Sequence, residues 1–133
     1  MSTTVDLEKF YDCFVQALGV DRDDLDMDKT LLEDLGADSL DLLDLIFNLE
    51  QTFNIQIPRG EFERRAREAL GDTPFEINGV LTEEGIGALR EGLPEAADKI
   101  KSGLRTHQIP MLFTVRSFHR LVEDRVAFRP TAF

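Results

Sequence analysis

Residues 31–58 read LLEDLGADSLDLLDLIFNLEQTFNIQIP. The spacing predicts a helix over residues 39–53. Leu42, Leu43, Leu45, Ile46, Leu49 and Phe53 fall on a broad apolar arc, with Asp41, Asp44, Asn48, Gln51 and Thr52 opposite. Leu40 and Phe47 sit at the edge of that arc, and Glu50 lies within it near the same edge. Asp38 and Asp41 have the spacing of a capping box. With Asp38 as the cap, Ser39 becomes the first helical residue. Its hydroxyl is then free, beside N–H groups that favour negative charge. Serine is also a common cap before an apolar helix, so the pattern alone leaves two uses for Ser39. After the helix, Ile55 and Ile57 alternate with polar neighbours and Pro58 ends the run, which is short for a strand.

Working outward, residues 20–37 form a loop-like connection anchored by Leu25, Met27, Leu31, Leu32 and Leu35. Its run DRDDLDMD does not make a calcium loop. Counted from Asp21, the fifth and twelfth positions are Leu25 and Leu32, and the sixth-position glycine is missing. Ahead of it, Leu7, Phe10, Tyr11, Phe14, Val15 and Leu18 mark a helix stripe. Thr3 or Thr4 is the expected cap and Gly19 the stop, with Cys13 pointing away from the stripe. A last helix is expected over residues 114–128, capped by Thr114 and stopped by Pro130. Val115, Phe118, Leu121, Val122 and Val126 mark its buried side.

Between these lie residues 59–113. GEFERRAREALG predicts a helix with Phe62, Ala66, Ala69 and Leu70 inward. PFEINGVL is extended or turn-like around Asn78-Gly79. Thr82 is the expected cap of a further helix with Ile86, Leu89 and Leu93 on one side, weakened by Gly85 and Gly87. Pro94 can open another. The expected class is all-α.

Charge is unevenly placed. The whole formal charge of −11 falls on residues 1–57, and the remainder balances to zero. That excludes nucleic acid as the partner of the first part and suits partners with basic patches. No apolar run is long enough for membrane insertion. The start lacks a secretory signal and there is one cysteine, so a cytoplasmic location is expected. A hydrolase elbow is absent, and His107 and His119 have neither triad nor metal-ligand spacing. No enzyme activity is expected.

The stretch as a whole resembles the acyl carrier protein family. Asp38, Ser39 and Leu40 match the family's DSL motif, Glu33, Leu35 and Gly36 precede it, and Phe53, Ile55, Ile57 and Pro58 match its exit. The resemblance covers roughly residues 3–58 and resumes at 114–127. It implies one acyl-carrier-like helical bundle, with core residues 3–58 and 114–128 and a mainly helical insertion at 59–113. It implies a 4′-phosphopantetheine arm on Ser39, attached by a phosphopantetheinyl transferase and holding acyl groups as thioesters. Asp38, Leu40, Asp41, Asp44, Phe47 and Glu50 would meet acyl-transferring enzymes with basic patches. Leu43, Ile46, Leu49, Phe53, Ile57, Phe118 and Leu121 would line an acyl pocket. A monomer is expected. In the family the link before the last helix is short, so the insertion suggests a specialised bacterial lipid or fatty-acid pathway. Arg59, Arg64, Arg65 and Arg67 within it could pair with the acidic face, meet the phosphate of the arm, or form the polar side of a helix. A polyketide-type or aminoacyl carrier, or a regulatory module without the arm, are the alternatives.

Overall fold

The computed structural model of the chain describes residues 5–58 and 60–128, the side chain of Phe128 excepted. Thr3, Thr4, Arg59 and Pro130 lie outside the described residues. In chain order the elements are α1 (Leu7–Leu18), α2 (Ser39–Phe53), α3 (Glu61–Leu70), β1 (Glu76–Ile77), β2 (Val80–Leu81), α4 (Glu83–Gly92) and α5 (Val115–Phe128). Short 3₁₀ segments occupy Arg22–Asp24, Pro94–Lys99 and Thr106–Leu112. The chain divides into two compact units, residues 1–57 with 115–133 and residues 58–114.

In the first unit α1 packs on α2, and α2 touches α5. Phe10, Phe14, Leu31, Leu45, Leu49, Val115, Leu121 and Val122 are fully buried. The Phe10 ring meets Phe14 edge-on at 5.0 Å and His119 at 5.1 Å. Each such aromatic pair adds about 1 kcal/mol beyond the area it buries. His119 is therefore a packing residue, with Nδ1 3.4 Å from Glu123.

Helix α1 departs from expectation at its start and on its face. Its cap is Asp6, whose carboxylate accepts the Lys9 N–H at 3.2 Å. Gly19 ends it with φ of 70°, as expected. Cys13 is buried at 3% exposure while Leu7 is 46% exposed. The apolar face is thus rotated toward Phe10, Cys13 and Phe14, the thiol behaving as a small apolar group where α1 packs on α2 and also meeting Thr52 Oγ1 at 3.4 Å.

The loop before α2 also holds α5. The N–H groups of Val115 and Arg116 donate to the carbonyls of Lys29 (3.0 Å) and Met27 (2.9 Å). These are first-turn donors with no partner inside their own helix. The Arg116 guanidinium lies 3.1 Å from Asp28. Leu25 and Leu31 anchor the loop in the core. No cluster able to hold a metal ion occurs among the described residues.

The second unit has its own core of Phe62, Ala66, Phe75, Leu81, Ile86, Leu89, Leu93, Ile100, Ile109 and Leu112. Residues 76–81 form a β-hairpin, Glu76 opposite Leu81 and Ile77 opposite Val80. Asn78 (φ 54°) and Gly79 (φ 84°) supply the two positive torsions that its turn requires. Thr82 caps α4 as expected, its Oγ1 accepting the Gly85 N–H at 2.9 Å. Gly85 is needed for packing: a β-carbon there would lie 2.1 Å from the Phe75 carbonyl oxygen. The segment after Pro94 is 3₁₀, and the 3₁₀ segment Thr106–Leu112 is not foreshadowed by sequence periodicity.

Helix α3 is rotated from the expected face. Ala69 is exposed, and Glu61 is buried at 3%. Arg64 Nε lies 2.8 Å from Glu61 Oε1 and Arg65 Nε 3.0 Å from Oε2. Burial alone would raise the Glu61 pKa, but the hydrogen bonds and charges of Arg64 and Arg65 outweigh it and hold it below the usual range. The group therefore adds stability that is present above the ordinary carboxylate pKa and lost as pH falls through the lowered folded value. Nearby Glu63 shifts the opposite way, raised chiefly by burial. Glu61→Gln should flatten the acid limb of the stability profile relative to the parent. Urea midpoints across pH 2–6 would check this, and parallel profiles would count against it.

Candidate functional site

The site is built at the start of α2. The Asp38 carboxylate accepts the Asp41 N–H at 2.9 Å, and the Asp41 carboxylate accepts the Asp38 N–H at 3.1 Å. The expected capping box is therefore complete. The first intrahelical bond runs from the Leu42 N–H to the Asp38 carbonyl at 3.0 Å. The N–H groups of Ser39 and Leu40 precede it. Ser39 is exposed and is not the cap.

The preceding turn fixes where this helix begins. Thr30 and Asp34 bond reciprocally: the Thr30 N–H donates to the Asp34 carboxylate at 2.9 Å, and the Asp34 N–H to Thr30 Oγ1 at 3.0 Å. The Leu35 N–H donates to the Thr30 carbonyl and the Ala37 N–H to the Leu31 carbonyl. Gly36 takes the left-handed torsion (φ 70°) that closes the turn. Sequence reasoning missed the Thr30–Asp34 pair; threonine four residues before aspartate was its available signal.

Leu40 is 70% exposed, Phe47 60% and Leu43 44%. On a helix these three share one strip. Asp38 and Asp44 are exposed and Asp41 is half-buried. Glu50 is half-buried, and its Oε2 accepts the Ile57 N–H at 2.8 Å. It therefore holds the chain after α2, where Asn54 (φ 55°) ends the helix. Of the residues expected in an acyl pocket, Leu49, Phe53, Ile57, Phe118 and Leu121 are buried. Ile46 is half-buried, while Leu43 sits at the surface.

Of the arginines named after α2, Arg64, Arg65 and Arg67 have partners within their own unit. Arg64 bonds Glu61 and Glu68, Arg65 bonds Glu61, and Arg67 lies over the Phe75 ring at 4.8 Å.

Residues 8–67 match the phosphopantetheine attachment site family. The acyl carrier protein of Chlorobium phaeobacteroides is 44% identical over 57 residues, which are 43% of this chain and 73% of that protein. That of Clostridium acetobutylicum is 42% identical over 57 residues, 43% of this chain and 74% of the relative. The chain belongs to the acyl carrier protein family. No solved structure is a significant match.

Acyl carrier proteins work with a covalently attached 4′-phosphopantetheine, and the site fits such a group. A helix N-terminus with free N–H groups favours a phosphodiester, and the exposed hydroxyl beside them is not used as a cap. Membership in the family implies a phosphopantetheinyl transferase and acyl-handling enzymes as partners. Among the described residues no helix is long and apolar enough to cross a membrane.

Proposed function

We propose that Ser39 carries the 4′-phosphopantetheine and that the chain shuttles acyl thioesters between enzymes of a specialised bacterial lipid or fatty-acid pathway. The observation that carries this is the division of labour at α2. Asp38 caps the helix and Ser39 presents a free hydroxyl one residue on. That hydroxyl supplies the oxygen of the new phosphodiester, and the transferase supplies the catalysis. When bound, the arm supplies the thiol that carries the acyl group. The chain itself is a carrier and not a catalyst.

The strip Leu40, Leu43 and Phe47, flanked by Asp38, Asp41 and Asp44, would be the docking face. Exposed acids there attract basic patches, and each pairing is individually weak, which suits a carrier that must leave each partner. Glu50 gives one oxygen to the Ile57 N–H, and Asp38 and Asp41 each give one to the capping box, so these three would meet a partner through their other oxygen. Ile46, Leu49, Phe53, Ile57, Phe118 and Leu121 would shelter an acyl chain. We assign the specialised pathway from residues 58–114, a folded insertion in an otherwise family-like chain that acts as a monomer. A cytoplasmic setting, where a lone thiol such as Cys13 stays reduced, completes the proposal.

The test is intact mass after incubation with coenzyme A, Mg²⁺ and a broad-specificity phosphopantetheinyl transferase, followed by fragment mapping. One phosphopantetheine on the peptide containing Ser39 is expected. An adduct on Ser102 or Ser117, or none while a known carrier loads in parallel, would overturn the assignment.

A further inference from the structure

No residue from Asp38 to Asp44 is buried, and the first fully buried residue of α2 is Leu45, on its second turn. The turn that bears Ser39 is therefore not pinned to the core by its own side chains. Its frame comes from the chain just before it. Leu31 is fully buried, Ala37 is buried, and the Ala37 N–H donates to the Leu31 carbonyl at 2.9 Å. The Thr30–Asp34 pair closes this turn. Thr30 is a buried polar residue, 6% exposed, whose Oγ1 holds the Asp34 N–H and whose own N–H is held by the Asp34 carboxylate. Its carbonyl takes the Leu35 N–H at 3.1 Å. Thr30 thus engages its N–H, its carbonyl and its hydroxyl within five residues. One residue earlier, the Lys29 carbonyl is fastened to Val115 of α5.

An exposed helix end is where local opening is easiest. The Asp38–Asp41 box closes only when Asp38 arrives in extended backbone (φ −113°, ψ −174°) with its N–H turned to Asp41. Opening of the preceding turn frees that approach, while the buried Leu45, Leu49 and Phe53 keep the rest of α2 in place. We propose that Thr30, paired with Asp34, is a positioning residue for loading: it keeps the first turn of α2 closed, so that the Ser39 hydroxyl stands ready for the transferase. This rests on the assignment of Ser39. In that reaction the Ser39 oxygen bonds to the pantetheine-bearing phosphorus of coenzyme A. The bond from that phosphorus to the bridging oxygen breaks, adenosine 3′,5′-bisphosphate leaves, and the hydroxyl proton passes to a base of the transferase. Misplacing a reacting atom by about 1 Å can slow a reaction on the order of 100-fold, so opening for part of the time lowers the rate of this step. Docking, spread along α2, is left nearly unchanged.

The experiment follows single-turnover loading by intact mass, with purified transferase, coenzyme A and Mg²⁺ in excess. It gives a maximal rate and a half-saturating transferase concentration. Thr30→Val keeps the shape and removes the hydroxyl, and Asp34→Ala removes the carboxylate. Each should lower the maximal rate roughly tenfold, with half-saturation within about twofold of the parent. The double variant should be no slower than the slower single, since the pair acts as one unit. Thr30→Ser should restore the parent rate to within about twofold. Asp28→Ala is the same charge loss in the same loop, and Val122→Ala opens a cavity in the same core and destabilises it at least as much. Both should keep the maximal rate. Should Thr30→Val not fold, Asp34→Ala, at an exposed position, carries the same test. Val122→Ala slowed as much as Thr30→Val, or Asp28→Ala as much as Asp34→Ala, overturns the proposal. So does a raised half-saturation with an unaltered maximal rate. A parent that takes no adduct overturns the Ser39 assignment and this proposal with it, whereas a parent that loads while Thr30→Val and Asp34→Ala keep its rate overturns the role of the pair alone.

Discussion

Ser39→Ala should stay at its polypeptide mass under conditions that load the parent completely, and it should remain as stable as the parent. The two results belong together. If Ser39 were the cap of α2, its loss would remove a side-chain acceptor and cost about 1 kcal/mol. The structure gives that task to Asp38, whose carboxylate holds the Asp41 N–H. Alanine is a better helix former than serine by a few tenths of a kcal/mol, so the unfolding midpoint should hold or rise slightly. Intact mass and urea denaturation on one preparation read both. A residual adduct would move the attachment elsewhere, and a loss near 1 kcal/mol would return Ser39 to capping.

Gly85→Ala should cost about 3 kcal/mol, although alanine is ordinarily the better residue inside a helix. The added carbon would meet the Phe75 carbonyl oxygen at 2.1 Å and Thr82 Oγ1 at 3.2 Å. That carbonyl cannot swing aside freely, because it accepts the Thr82 N–H at 3.0 Å. Relief requires α4 to move off the segment before it, opening the core around Ile86 and Leu89. Gly87→Ala is the control: nothing lies within 4 Å of its added carbon, so it should stabilise by about 0.5–1 kcal/mol. Denaturation curves of both variants check the contrast. Equal midpoints would remove the close approach as a constraint.

The two glycines show what a sequence makes legible. Both sit at helix positions and both look like weaknesses, yet the need for Gly85 depends on a carbonyl ten residues earlier that no local pattern reports. The same limit explains Glu61. Its helical spacing was readable, but its burial follows from two arginines on its own helix neutralising it in place. Cys13 likewise sits inside because α2, an element distant in sequence, packs over that side of α1. In contrast, the capping box at the start of α2 was legible, although the pattern alone left Ser39 a second use as the cap and did not show the Thr30–Asp34 pair before it. A capping box is a local device, and Asp38 and Asp41 declare it three residues apart. Helix α1 was readable in period but not in its first residue, since Asp6 and the earlier threonines are all competent caps. The hairpin at residues 76–81 was visible only as a turn, because two-residue strands carry no alternation.

The anchoring hydrogen bonds beside residues 58–114 have a consequence for how such a chain can vary. The segment departs after Ile57, whose N–H is held by Glu50, and returns at Val115, whose N–H is held by Lys29. Both anchors belong to the three-helix unit. Closing a longer loop between fixed ends costs only logarithmically more entropy as the loop grows. The carrier helices therefore act as a chassis with a socket, into which a folded cassette can be inserted, exchanged or trimmed while the stem that bears Ser39 keeps its frame.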